Sequence, residues 1–86
     1  MATLARPIIS EYTRMPANVR RLDANDVAVL PLANQVVRVL SGAAWVTLNQ
    51  DDIIVKSGEK ITLYPDKYPP VISALDNRQL VYEIII

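Results

Sequence analysis

The apolar positions of this chain fall into short runs from Leu22 onward, spaced about ten residues apart and separated by turn-forming residues. Within the runs the period is two. Val37 and Val39 flank Arg38, and Ile61 and Leu63 flank Thr62, which gives strands with one apolar and one polar face. The pattern predicts strands over 27–32, 35–40, 44–48, 52–55, 60–63, 71–75 and 79–85. Ala33-Asn34, Ser41-Gly42, Asn49-Gln50-Asp51 and Asp76-Asn77 lie between them and supply residues that tolerate positive φ or bond their own backbone, as hairpin connections require. The stretch from Pro65 to Pro70 lacks three ladder donors and predicts a loop at one end of the sheets. The expected fold is all-β, a small antiparallel barrel or sandwich of about seven short strands.

Two runs break the alternation. Leu80, Tyr82, Ile84 and Ile86 share one strand face, while Val81 and Ile85 occupy the other with only Glu83 polar; Ile53, Ile54 and Val55 likewise point to both sides. A single interior cannot hold all of these, so Ile54, Val81 and Ile85 are candidate interface residues. The first 21 residues carry Arg6, Arg14, Arg20 and Arg21 against Glu11 alone, and Pro7 and Pro16 discourage a helix. This predicts an N-terminal arm over 1–21 ahead of a barrel over 22–86. The arm's Ile8, Ile9 and Tyr12 are costly to leave in water, at roughly 1.5–3 kcal/mol for a large side chain that could be buried, so they are expected to dock on the barrel or on a neighbouring subunit. A homo-oligomer is expected, with a two-fold dimer as the commonest form.

Composition narrows the chemistry. The 86 residues suffice for one domain; they are 51% hydrophobic and carry nine basic and nine acidic side chains, too apolar for disorder and too neutral for a simple polyanion binder. The absence of histidine and cysteine removes the usual transition-metal ligands, the neutral-pH proton shuttle and the thiol nucleophile. No cofactor is expected, and a lone carboxylate cannot build a selective metal site. Arg6 and Pro7 interrupt any leader-like apolar stretch, and the run from Leu30 to Val37 is far below the ~20 residues of a membrane-spanning helix. A cytoplasmic location without a membrane partner is the expectation.

One constellation is more specific. Gly42-Ala43-Ala44-Trp45-Val46-Thr47 is followed by Asp52, Val55 and Gly58-Glu59 in a fixed register. The block resembles a bacterial domain-of-unknown-function family of short cupin-like β-barrels with a Gly-x-x-Trp-x-Thr signature, over roughly residues 27–83. The resemblance implies a cupin-type barrel without an assigned reaction. Cupin enzymes generally hold a metal through histidines and a Glu; this chain departs from that pattern completely, since Glu59 matches only the turn motif and there is no histidine.

Each candidate residue has a structural and a functional reading. Trp45 could stack on a sugar, base or peptide, but core packing is favoured because tryptophan is highly buried on average. Thr47, on the same face, reads first as a β-branched strand former. Asp52 and Glu59 could form an acid/base pair, and a metal-independent isomerase or lyase would use Asp52, Glu59 or a tyrosine inside the barrel mouth. The favoured reading is that both accept hydrogen bonds at turns. The basic N-terminal arm, with Arg6, Arg14 and Arg20-Arg21, and an exposed Trp45 could bind nucleic acid, a reading the balanced charge disfavours. The sequence thus points to a non-enzymatic interaction or regulatory module that self-associates and binds a protein partner.

Overall fold

The computed structural model describes residues 18–85, whose regular structure is entirely strand. Eight strands follow in order: β1 (Val19–Leu22), β2 (Val27–Val29), β3 (Gln35–Ser41), β4 (Ala43–Leu48), β5 (Asp51–Lys56), β6 (Lys60–Leu63), β7 (Val71–Ala74) and β8 (Leu80–Ile85). They form two four-stranded antiparallel sheets, the first ordered β1-β8-β3-β6 and the second β2-β7-β4-β5. The all-β sandwich expected from the period of two is the observed fold.

Seven of the strands match the expected runs. β2 stops early because Pro31 cannot extend a ladder, although Leu30 stays buried and its N–H donates to the Pro70 carbonyl at 2.8 Å. β1 was not foreseen. Val19 through Leu22 pair with Glu83 through Leu80, and Asn18 locks the start through a side-chain bond to the Ile84 carbonyl at 2.9 Å. Adjacent arginines conceal this strand in the sequence, because Arg20 sits in register with the inward Tyr82 while Arg21 faces out with Val81. Ile8, Ile9 and Tyr12 lie outside the described residues.

The inner faces of the two sheets meet in one core. Val37, Val39 and Leu80 from the first sheet and Ala44, Val46 and Ile72 from the second have no exposed surface, and Leu30, Val55, Leu63 and Tyr82 complete the cluster. Each fully buried Val, Leu or Ile contributes about 1.5–3 kcal/mol relative to exposure. Gln35 is the exception to an apolar interior. It is 3% exposed, and its Nε2 donates to the carbonyls of Pro31 (2.7 Å) and Ala33 (2.9 Å), which shapes the bend before β3. Its Oε1 is buried without a partner among the described residues.

The turns follow their chemistry. Asn49 and Gln50 both take positive φ, 49° and 72°, as a two-residue hairpin between antiparallel strands demands. Asp76 and Asn77 do the same at 59° and 56°, on the passage from β7 in the second sheet to β8 in the first. Gly42 carries the chain between sheets in the other direction, at φ 83° beside a bulge in the β3–β8 pairing. The loop from Tyr64 to Pro70 is pinned by Asn49, whose side chain donates to the Tyr64 carbonyl (3.2 Å) and accepts from the Asp66 N–H (3.0 Å).

Candidate functional site

The two outer faces differ in character. On the first sheet Arg21, Arg38, Glu83 and Lys60 are interspersed with Val36, Val81 and Ile85. On the second, the strand registers align two rows, Val27–Ser73–Trp45–Ile54 and Val29–Val71–Thr47–Asp52. Val27 (61% exposed), Val29 (66%), Trp45 (43%) and Ile54 (51%) therefore lie on one surface, and no charged side chain occurs in these rows before Asp52. Lys56 follows two residues beyond Ile54 on the same face of β5.

The core-packing expectation for Trp45 is overturned. β4 has its small residues at the inward positions, Ala44 and Val46, both without exposed surface, and alternation then turns Trp45 and Thr47 outward together. The space between the sheets at this strand accepts a methyl or isopropyl group rather than an indole. The structure also separates the expected interface set. Ile54 belongs to the outer face of the second sheet, Val81 and Ile85 to that of the first, and the core lies between them. Val27 and Val29 were not singled out, because an uninterrupted apolar run gives no signal for which members face outward.

The two carboxylates serve local structure. Asp52 accepts a hydrogen bond from the Thr47 hydroxyl at 3.2 Å, directly across the β4–β5 ladder. Glu59 accepts from the Lys56 backbone N–H at 2.8 Å and its own N–H donates to the Lys56 carbonyl, closing the turn through Gly58. Asp52 stands four residues along the strand from Lys56, about 13 Å at strand rise, so the pair does not converge on a common point. Tyr64 and Tyr68 are exposed in the proline-rich loop, whereas Tyr82 is buried in the core. Burial pushes the Tyr82 phenol above its ordinary pKa, and the positive charge of Arg20 draws it partly back. Among the described residues no three His, Cys, Asp or Glu side chains gather into a metal-binding group, and no helix is long and apolar enough to cross a membrane.

Two open grooves flank Ile54. One, of about 430 Å³, runs along the β5 edge with Ile53, Ile54, Val55, Glu59, Lys60 and Ile61 as its walls. The other, of about 510 Å³, lies at the Gly42 end of the second sheet and includes Ile54, Lys56, Leu75, Asp76 and Arg78.

No protein-family model matches the sequence, and no curated protein matches it significantly. Solved structures do resemble it. A cupin protein from Bacteroides fragilis superposes with a TM-score of 0.63 and 21% identity, covering 78% of this chain and 59% of that one. A protein from Acidithiobacillus ferrooxidans described as a "putative sugar phosphate isomerase" gives a TM-score of 0.62 and 18% identity over 78% and 46% of the two chains. A conserved protein of unknown function from Streptococcus pyogenes gives 0.56 and 26% over 78% and 60%. The chain thus spans between 46% and 60% of the length of these neighbours. What they share with it is the fold, which is cupin-like.

Proposed function

We propose that this chain is a non-enzymatic interaction module, a cupin-like barrel that self-associates through the β4–β5 side of its second sheet and binds a protein partner. The observation that carries this reading is the surface on which Val27, Val29, Trp45 and Ile54 stand exposed together, against the charged outer face of the first sheet. Leaving such side chains in water forgoes a few kcal/mol of burial, which a contact recovers. The aliphatic packing between the sheets supports the same reading, since the work is then done outside the barrel rather than within it.

Gel filtration of two charge insertions tests the assignment. Ile54→Asp is expected to elute later than the wild-type protein, while Val81→Lys, on the opposite face, leaves the elution volume unchanged. Equal elution of all three would reject the proposed face.

A metal-independent isomerase is the second reading, favoured by the likeness to the A. ferrooxidans protein. Its residues would be Asp52, Glu59 or a tyrosine. Because both carboxylates are engaged in strand and turn bonds, the reading requires Asp52→Asn and Glu59→Gln to abolish turnover of a sugar phosphate. Nucleic-acid binding through the basic arm draws support from the exposure of Trp45, although the two rows around it hold no basic side chain, and Arg6 and Arg14 of the arm lie outside the described residues.

A further inference from the structure

β5 ends the second sheet, and its far side meets no other strand among the described residues. Which of its backbone groups point outward follows from the hairpin. The two-residue turn at Asn49-Gln50 makes Leu48 and Asp51 a hydrogen-bonded pair, so Asp51, Ile53 and Val55 bond towards β4, and Asp52, Ile54 and Lys56 turn their N–H and C=O groups away from it. The Lys56 groups are taken up by Glu59, its N–H by the carboxylate and its C=O by the Glu59 N–H. Among the described residues Asp52 and Ile54 are left with four unpaired backbone groups on this edge, where Ile54 also lines the 430 Å³ groove. Unpaired strand edges of this kind are templates for a further strand.

We propose that a second copy of this chain fills that place, with β5 pairing antiparallel to the partner's β5 about a two-fold axis at Ile53. This register alone uses the four groups completely, because it sets Asp52 opposite the partner's Ile54, and Ile54 opposite the partner's Asp52. It places Ile53 against the partner's Ile53 on the inner side. On the outer side Lys56 falls diagonal to the partner's Asp52, within reach of its long stem, and the symmetry repeats that opposite-charge contact. The edge is thus complementary to itself in backbone pairing and in charge. The two second sheets become one eight-stranded sheet, and both Trp45 side chains lie on the same outer surface. The other end of the sheet, β2, is only three residues long and carries no charged residue within its span. The inference rests on the self-association reading and specifies its contact as the β5 edge, which leaves Val27, Val29 and Trp45 exposed on the joined sheet for the protein partner.

Because the chain has no cysteine, single substitutions report on the register directly. Ile53→Cys, Ala28→Cys and Arg38→Cys are oxidised mildly and resolved on a non-reducing gel, alongside light scattering of the wild-type protein. A reducible dimer band from Ile53→Cys alone is the expected result; Ala28→Cys probes a rival pairing through β2, and Arg38→Cys the outer face of the first sheet. A wild-type dimer with no Ile53→Cys band, or with a band from Ala28→Cys instead, overturns the β5 pairing and leaves self-association standing. A wild-type monomer overturns both. Asp52→Lys, at an exposed position that does not threaten folding, should weaken the dimer about tenfold, and adding Lys56→Asp should restore it; an equally weak double variant rejects the register.

Discussion

A β-carbon built on Gly42 would stand 2.5 Å from the backbone oxygen of Gln79, closer than real side chains approach. Gly42 also holds φ at +83°, so the crossing from the first sheet to the second depends on this glycine twice, once for conformation and once for space. Gly58 has nearly the same φ, +87°, but nothing within 4 Å of its virtual β-carbon. Gly58→Ala should therefore cost only the conformational strain, about 1–2 kcal/mol. Gly42→Ala should cost clearly more, because the backbone at Gln79, just ahead of β8, must also shift. Paired urea titrations measure the difference, and equal midpoints would contradict it.

Asn49 combines a left-handed turn with a clamp on the proline-rich loop. Asn49→Gly keeps the turn and removes both side-chain bonds, so the expected loss is about 1–2 kcal/mol, and faster amide exchange at Asp66 should accompany it. Unchanged exchange there would show that the clamp does not hold the loop.

Gln35→Glu replaces a buried amide that donates to two carbonyls with a carboxyl. Burial and the facing carbonyl oxygens favour its protonated form, raising the folded-state pKa above the ordinary Glu value of about 4.3. The variant should hold most of its stability below that pH and lose it as pH rises through the raised pKa. Thermal melts from pH 3 to 8, referenced to the wild-type protein, read this; a penalty independent of pH would contradict it.

Tyr82 behaves analogously at the alkaline end. Its phenol is harder to ionise when folded than when unfolded, so the unfolded chain gives up its proton first and stability falls as pH rises beyond the ordinary tyrosine value of about 10. Tyr82→Phe should flatten that decline in chemical denaturation between pH 9 and 11. An identical decline in both proteins would place its origin elsewhere.

Much of the fold was legible because alternation and turn chemistry agreed. Val37, Val39, Ile61 and Leu63 faced inward as their period required, and Ser41-Gly42, Asn49-Gln50 and Asp76-Asn77 all reversed or redirected the chain. β1 was hidden because Arg20 and Arg21 look like a solvated arm, while strand pairing with β8 is a long-range contact with no local signature. Trp45 was misplaced for a related reason. Its size argued for burial, yet the limiting quantity was the gap opposite Ala44 and Val46, which no local sequence feature reveals. Ile54 was recognisable as surplus from the two-sided run at Ile53-Ile54-Val55, and so were Val81 and Ile85, but only the sheet order shows that they occupy opposite faces.

Absolute molar mass by light scattering, followed from one to a hundred micromolar, puts the account to its plainest trial. Self-association predicts a rise to twice the 9.6 kDa of the single chain. A mass fixed at one chain across the whole range would contradict it.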